Sequence, residues 1–303
     1  MTNEQRVKNL SVPVGKIDVV LDTDAYNEID DQYAIAYLLK SDDKLNTKAI
    51  YAAPFFNNKA ESVADGMEKS YREILNITSL IGIEKPVFRG SETYLPDEQT
   101  PVISDSAKDL AERANSYSPE NPLYVVAIGA ITNVASAILL NPKVAENTVI
   151  VWLGGHAQHF SHTKEFNMYQ DVAAARVVFG CGVPLVQLPC MGVVSAFTLS
   201  KPELECWFKG KNKLADYLTD ITIREMGERI TTGEVWSKVI WDVTAVAWLL
   251  NDKDRFMFSR LITAPIPSYD FMYTMKPDGH LMRYVYQIKK DSLLRDLIEK
   301  LTK

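Results

Sequence analysis

The chain has 303 residues, of which 47% are hydrophobic, enough for the core of one large α/β domain or two smaller ones. It carries 33 Lys and Arg against 39 Asp and Glu, without a basic stripe, which argues against a nucleic acid polymer as partner. The apolar runs are too short to cross a bilayer, so we expect no membrane partner.

The N-terminal residues and the cysteines predict a cytoplasmic protein. Residues 1–9 are polar and lack the apolar segment of a signal peptide. The three cysteines, Cys181, Cys190 and Cys206, are odd in number and lack metal-ligand spacing. We therefore expect them to be buried thiols in a reducing compartment.

Strand-like and helix-like segments alternate through the first two-thirds of the chain. Several strand candidates are continuous apolar runs, which are typical of strands covered on both faces. The strand candidates cover residues 16–21, 48–53, 86–88, 123–128, 149–153 and 185–188, and the helix candidates cover residues 31–40, 59–75, 106–116, 133–140 and 171–179. This order predicts an α/β fold with a mostly parallel central sheet flanked by helices.

The pattern changes after about residue 200. Helices are predicted at residues 202–209, 214–229, 242–250 and 292–301, and strands at 256–264 and 283–288. We expect a single domain over residues 1–303, with a core at about 14–200 and a helical, lid-forming part at about 201–303. Residues 261–282 are rich in proline and aromatic residues, which fits either a segment that closes over a ligand or a surface loop packed by its own aromatics.

Five acidic residues lie within ten positions after the first predicted strand: Asp22, Asp24, Glu28, Asp30 and Asp31. Ligands of open α/β sheets bind outside the carboxyl ends of the strands. Helix capping explains one or two acids but not five. Carboxylates this close repel unless a cation or a shared proton relieves them, and their oxygens favour Ca²⁺ or Mg²⁺. The sequence therefore predicts a carboxylate metal site at the mouth of the sheet.

Five segments resemble the motifs of the nucleoside hydrolases, the calcium-dependent ribohydrolases that cleave N-glycosidic bonds. They are Asp22-Thr23-Asp24 with Asp30-Asp31, Ile128-Gly129-Ala130-Ile131-Thr132-Asn133, Trp152-Leu153-Gly154-Gly155, Glu165-Phe166-Asn167 with Asp171, and Trp241-Asp242. They follow the family's order along the chain. The resemblance implies a Rossmann-like nucleoside hydrolase fold, hydrolysis of a nucleoside or related riboside to base and ribose, and a homo-oligomer, either dimer or tetramer.

The resemblance also implies a calcium site and a general base. Asp24, Asp31, Asp242 and the main-chain carbonyl of Ile128 would bind Ca²⁺. Asp24 would accept a proton from the water that attacks the anomeric carbon. A single displacement by water would invert this carbon.

Further residues would bind the sugar according to the same resemblance. Asp30, Asn167 and again Asp242 would hold the 2′ and 3′ hydroxyls, and Glu165 the 5′ hydroxyl. One of the two asparagines after the second strand, Asn57 or Asn58, would also touch the ribose.

The chain departs from the family in two places. Five residues, Ala25-Tyr26-Asn27-Glu28-Ile29, stand where the family has Pro-Gly-x, so Glu28 or Tyr26 is expected to reach the sugar or metal site. Trp241 replaces a histidine that often precedes the last aspartate. Members that favour purine nucleosides have tryptophan there, so Trp241 is either a catalytic residue that stacks on a purine leaving group or a core aromatic.

Three of the four histidines, His156, His159 and His162, follow Gly154-Gly155. In the family this loop faces the 5′ end of the ligand. We expect one histidine to contact the ligand or act as a general acid, and the others to be exposed. A transition-metal site is the less favoured alternative.

Two other functions remain compatible with these residues. The same fold and metal site would serve another ribosyl or sugar metabolite, or a riboside-binding protein without turnover. Asp22-Thr23-Asp24 after an apolar strand also resembles the start of haloacid-dehalogenase-type phosphatases, but Tyr26 stands where those enzymes need a hydroxyl residue.

Overall fold

The structure, a computed structural model, describes residues 1–303 apart from the side chains of Glu228 and Ile230. The strands are β1 (Ile17–Thr23), β2 (Leu45–Ala52), β3 (Val87–Phe88), β4 (Leu123–Ala127), β5 (Thr148–Leu153), β6 (Leu185–Leu188), β7 (Thr198–Ser200), β8 (Ser237–Val239), β9 (Met257–Thr263), β10 (Ile266–Pro267), β11 (Tyr273–Thr274) and β12 (Leu281–Ile288). The helices are α1 (Asn3–Asn9), α2 (Asp30–Leu39), α3 (Val63–Ile81), α4 (Asp105–Arg113), α5 (Thr132–Leu140), α6 (Lys143–Asn147), α7 (Phe166–Gln170), α8 (Val172–Gly180), α9 (Lys201–Trp207), α10 (Lys213–Glu225), α11 (Gly227–Thr231), α12 (Val243–Leu249) and α13 (Lys290–Leu301).

Eight strands form one sheet in the order β3-β2-β1-β4-β5-β6-β12-β9. All neighbouring pairs are parallel except β12 and β9, which are antiparallel. The predicted mostly parallel sheet is therefore confirmed. The strand order reverses between β1 and β4, and the carboxyl ends at such a switch point form a ligand-binding crevice.

Both faces of the sheet are covered by apolar cores, as the continuous apolar runs predict. Val19 and Leu21 of β1 belong to one core, which includes buried residues of α2, α12 and α13. Val20 belongs to the other core, with residues of α4, α5 and α8. Successive side chains of a strand point to opposite faces, so β1 is packed on both sides. This packing fixes the position of its carboxyl end.

Two predicted helices differ in extent from the observed ones, and the short elements α1, α6, α7, β7, β8, β10 and β11 were not predicted. The helix predicted at residues 59–75 begins and ends later, as α3, because the Ser62 hydroxyl accepts from the Asp65 amide and Gly82 ends the helix at φ +73°. The helix predicted at residues 214–229 is divided into α10 and α11 around Met226.

The prediction of three buried cysteines is wrong for two of them. Cys190 is buried, but Cys181 and Cys206 are exposed. Cys181 follows α8 directly, and Cys206 lies on the outer side of α9, a short helix with Leu204 as its buried residue. Among the described residues, no helix has the length and apolar character needed to span a bilayer.

Asp171 connects three segments on the side of the second core. Its carboxylate accepts from the Leu95 amide (2.9 Å), from the Thr132 hydroxyl (2.7 Å) and from the Ala174 amide (2.9 Å) at the start of α8. The side chain is buried, so each of these donors would lose its partner without reaching water. Asp171 therefore holds the beginnings of α5 and α8 together.

We expect Asp171→Ala to lower the free energy of unfolding by about 3 kcal/mol, because an N-cap and two further buried hydrogen bonds are lost. Urea denaturation followed by tryptophan fluorescence measures this change. Asp105→Ala, at an exposed acid in the first turn of α4, is the control and should change the free energy by less than about 0.5 kcal/mol. A loss below about 1 kcal/mol for Asp171→Ala would contradict the assignment.

Candidate active site

Carboxylates from two distant segments meet at the switch point of the sheet. Asp24 follows β1, Asp30 and Asp31 begin α2, and Asp242 directly precedes α12. One carboxylate oxygen from each of Asp30, Asp31 and Asp242 lies within 4.8 Å of the others, and all three residues are buried. The fold therefore brings together acids that are far apart in the sequence.

Burial and mutual repulsion disfavour the charged forms of these acids. Burial, with the charge of Asp30 added, raises the pKa of Asp31 to about 8. Burial and the charge of Glu28 raise the pKa of Asp30 to about 6. The pKa values of Asp24 and Asp242 also lie well above their usual range, first through burial and then through neighbouring carboxylates. The cluster of carboxylates is therefore electrostatically strained on its own.

Asp24 is the acid whose surroundings fit a cation most clearly. Neither of its buried carboxylate oxygens has a hydrogen-bond partner among the described residues, although buried polar atoms are normally paired. A Cβ on Gly129 would lie 3.1 Å from Oδ1 of Asp24, so glycine leaves room for this carboxylate beside the end of β4. Unpartnered carboxylate oxygens in a buried cluster fit a hard divalent cation.

Asp22 has a different role from its neighbours. Its Oδ1 accepts from Nδ2 of Asn133 (2.8 Å), which also donates to the Ala52 carbonyl at the end of β2 (3.1 Å). Oδ1 of Asn133 accepts from the Ser91 amide. Burial raises the pKa of Asp22 to about 7, and the bond from Asn133 opposes this shift. Asp22 and Asn133 therefore connect β1 and β2 to the start of α5.

Glu165 and Asn167 are held by the first turn of α7. Glu165 is the N-cap of this helix, and its carboxylate accepts from the amides of Gly155 (2.8 Å), Asn167 (2.9 Å) and Met168 (3.1 Å). Nδ2 of Asn167 donates to the carbonyls of Ile128 (3.2 Å) and Leu153 (3.0 Å). The Ile128 carbonyl, which the resemblance implies as a cation ligand, is thus fixed by Asn167 and retains a second lone pair.

These side chains line one pocket of about 220 Å³. The site residues predicted from the sequence that line it are Asp24, Asp30, Asp31, Ile128, Glu165, Asn167, Trp241 and Asp242. Asn57 is not part of this lining: its Nδ2 donates to Oδ1 of Asn27 (2.6 Å), and Asn27 lines the pocket. Asn58 is exposed.

Six residues that line the pocket were not predicted as site residues from the sequence. These are Asn27, Leu153, Lys164, Phe166, Cys190 and Met191. Lys164 precedes Glu165 and Phe166 follows it, so the motif Glu165-Phe166-Asn167 could have indicated both residues. Cys190 was interpreted only as a core thiol. It is buried but also lines the pocket beside Glu165, whose negative charge, after burial, raises the pKa of the thiol.

His156 differs from the other two histidines of its loop. It lines the pocket and is buried, whereas His159 and His162 are exposed. Burial, and secondly the charge of His162, lower the pKa of His156. Nδ1 of His156 has no hydrogen-bond partner within the described part of the chain. The carboxylates Asp30, Asp31 and Asp242 form the group that meets the distance criterion for a metal, and no histidine of the described residues joins them.

The segment 261–282 lies against the histidine loop. Tyr273 on β11 donates from its hydroxyl to the His156 carbonyl (3.1 Å) and accepts from Nε2 of Gln187 (2.7 Å). The Thr163 amide donates to the Phe271 carbonyl (2.7 Å). The short β10–β11 ribbon therefore supports the loop that carries His156.

Trp241 has features of both expected roles, a residue that contacts the ligand and a core aromatic. It is half-buried, packs against the apolar core that contains α12, and lines the pocket next to Asp242. In the five-residue loop before Asp30, Glu28 lines the pocket as expected, while Tyr26 is exposed and lines a second cavity beside it.

The fold and the site together define an α/β protein with a carboxylate-lined pocket at the switch point of its parallel sheet. The chain belongs to the inosine-uridine preferring nucleoside hydrolase family, whose family model matches residues 19–284. The resemblance inferred from the sequence motifs is confirmed.

Individual relatives and a solved structure agree with this family. A probable uridine nucleosidase 2 of Arabidopsis thaliana is 27% identical over 163 residues, which is 52% of this chain and 50% of that protein. The pyrimidine-specific ribonucleoside hydrolase RihB of Escherichia coli is 36% identical over 147 residues, 40% of this chain and 46% of that protein. The chain thus spans about half the length of the curated relatives it matches.

A plant nucleoside hydrolase of known structure has a TM-score of 0.75 and 18% identity, covering 94% of this chain and 99% of that one. At this identity the likeness concerns the fold.

We expect calcium to raise the Tm of the protein by roughly 5 °C at saturating concentration, because a cation relieves the repulsion in the carboxylate cluster. Asp242→Asn should abolish most of this shift. In chelator, the same variant should unfold at a higher temperature than the unaltered protein, because it removes one buried charge from the cluster.

Differential scanning calorimetry with and without calcium measures both effects. Asp42→Asn, at an exposed acid after α2, is the matched control and should keep the calcium-dependent shift. An equal shift in Asp242→Asn would contradict a cation site at this cluster.

Proposed function

We propose that this protein hydrolyses the N-glycosidic bond of a nucleoside or related riboside, giving free base and ribose. Membership of the nucleoside hydrolase family supports the reaction class. The observation that carries the proposal is the pocket in which Asp24, with both oxygens unpartnered among the described residues, lies beside Asp30, Asp31 and Asp242.

The buried acids and the Ile128 carbonyl are the residues that would hold a cation. Asp24, Asp31 and Asp242 would supply carboxylate oxygens, and Asn167 would keep the Ile128 carbonyl in place. Calcium fits this all-oxygen set, and when bound it supplies positive charge that makes a nearby water more acidic.

Asp24 is our candidate for the general base. Its carboxylate is free of protein donors in the described residues, so it is available to accept a proton from the attacking water. Asp30 and Asp242 would hold ribose hydroxyls, and their negative charge would stabilise the positive charge that develops on the sugar. A single attack by water would invert the anomeric carbon.

The other end of the pocket would bind the 5′ side of the ribose. Glu165 is fixed by three backbone amides, and its carboxylate lines the pocket, where it would accept from the 5′ hydroxyl. His156 lines the same pocket, its Nδ1 has no partner among the described residues, and it is a second candidate for this contact. Asn57 would act through Asn27. We propose that residues 201–303 complete this same domain, since Asp242 and Trp241 come from them.

We expect chelator-sensitive release of reducing sugar from at least one class in a panel of purine, pyrimidine and nicotinamide ribosides. Asp24→Asn should lower kcat by at least ~100-fold, because proton transfer to a positioned base is lost. Asp42→Asn serves as the control, and circular dichroism verifies that each variant is folded. If no riboside of the panel releases reducing sugar although calcium is bound, this result would contradict nucleoside hydrolysis and favour a riboside-binding protein or another sugar substrate.

Trp241 would determine the preference for the leaving base. Its half-buried ring next to Asp242 supports stacking on a purine, whereas the names of the two curated relatives point to uridine and pyrimidine ribonucleosides for those proteins. We propose a purine preference for this chain.

We therefore expect Trp241→Leu to lower kcat/KM for inosine about 10-fold and to affect uridine less, because a larger ring loses more stacking. Trp241→Phe should retain most of the activity on inosine. Steady-state kinetics with both nucleosides measures the difference. An equal loss on both nucleosides would indicate that Trp241 acts only through packing.

A further inference from the structure

A second, larger cavity adjoins the carboxylate pocket. Its volume is about 840 Å³, and Glu28 lines both spaces. Its walls come from the loop before α2, from the region of α10 and α11, and from Lys238 on β8. The smaller pocket contains the acids that would bind the ribose, and Glu28 lies where the two spaces meet.

Lys238 lies at this boundary. Its ammonium group donates to the Glu28 carboxylate, and only 14% of its side chain is exposed. Burial alone would lower the pKa of Lys238, but the negative charges of Asp30 and Glu28 outweigh burial and raise it. The group therefore stays positively charged next to the carboxylates of the pocket.

The pair Glu28–Lys238 connects two elements that are remote in sequence. Glu28 lies in the five-residue loop that distinguishes this chain, and Lys238 lies three residues before Trp241. Of the four histidines in the described residues, His156 lines the carboxylate pocket, at the end occupied by Glu165, and none lines the larger cavity. The larger cavity is lined by four cationic residues of the described chain, Lys59, Arg224, Arg229 and Lys238, and Lys238 is the one that pairs with Glu28, which lines both spaces.

We propose that the leaving base extends from the carboxylate pocket, where Trp241 lies, past Glu28 into the larger cavity, and that the Lys238 ammonium, positioned by Glu28, stabilises the negative charge that develops on the departing base. This inference rests on the proposed function. It assigns the specificity of the reaction to leaving groups that depart as nitrogen anions.

The bonds and charges balance in this step. The C–N glycosidic bond breaks, and its electron pair moves into the leaving base, whose negative charge the Lys238 ammonium would stabilise. The oxygen of water forms the new bond to the anomeric carbon, and the proton of water passes to a carboxylate of the pocket. The released base takes a proton from solvent after it has left.

The test compares Lys238→Met and Lys238→Arg with the unaltered protein on inosine, uridine and 4-nitrophenyl riboside. Lys238→Met should lower kcat on the nucleosides ~100-fold with little change in KM, because the charge acts in the transition state. 4-Nitrophenyl riboside releases 4-nitrophenolate, an anion that is stable without further help, so on this substrate the loss should be less than ~5-fold. Lys238→Arg should recover most of the nucleoside activity since it keeps the charge.

Lys44→Met is a matched control. Lys44 is exposed to the same fraction, 14%, and pairs with Asp252 at 2.9 Å outside both cavities. It should leave kcat on all three substrates unchanged. Glu28→Gln should reproduce the pattern of Lys238→Met to a smaller degree. It weakens the contact that positions the Lys238 ammonium but leaves the ammonium itself in place. The Glu28 side chain is 41% exposed, so its charge stays solvated when Lys238 is replaced.

The possible results separate this inference from the proposed function. If Lys238→Met loses activity equally on nucleosides and on 4-nitrophenyl riboside, or retains full activity on nucleosides, the role of Lys238 is overturned while hydrolysis stands. If the unaltered protein cleaves neither nucleosides nor 4-nitrophenyl riboside, the proposed function fails and this inference fails with it. Selective loss on nucleosides, rescued by arginine, supports both.

Discussion

Repulsion among buried carboxylates is the constraint on which the rest of this structure depends. Asp24, Asp30, Asp31 and Asp242 lie in one small volume away from water, where unpaired negative charge costs several kcal/mol per ion. Such a cluster persists only if the surrounding structure holds each side chain in place. The two apolar cores on either face of the sheet supply that rigidity, because β1, α2 and α12 are packed on all sides.

The inner and outer parts of the site differ in how they are held. The acids, the Ile128 carbonyl and Glu165 are fixed by backbone ends of the main sheet and by first turns of helices. Glu28, Tyr26 and Lys238 come from a loop and from the short β7–β8 ribbon. Elements of the second kind tolerate change without disturbing the core. Under the proposed function, the chemistry therefore resides at the ends of the sheet strands and the selectivity in the peripheral elements.

The sequence was most informative where the structural signal is local. The strands β1 to β6 were predicted closely because strands buried on both faces are continuous apolar runs. The cluster after β1 was predicted for the same reason, since its acids are neighbours in the chain. The late start of α3 was readable from Ser62, whose hydroxyl caps the helix three residues before Asp65.

Contacts between residues that are far apart in the sequence could not be predicted from it. Asp242 was assigned to the site from the family motif alone, because the residues around it in the sequence do not indicate an acidic cluster. The pair Glu28–Lys238 depends on how the β7–β8 ribbon folds against the loop, and short strands of this kind lack a periodic pattern. Exposure of Cys181 and Cys206 likewise depends on which side of a helix faces its neighbours.

The position of β12 inside the sheet has a consequence for biosynthesis. This strand lies between β6 and β9, so the sheet has a gap until residues 281–288 have been made. Asp242 also belongs to the last quarter of the chain. The N-terminal acids are therefore synthesised long before the partners that bury them, and non-local strand pairing of this kind forms slowly. A growing polypeptide thus carries the N-terminal acids of the pocket before Asp242 and β12 are present, and the buried site forms only after residues 281–288 have been made.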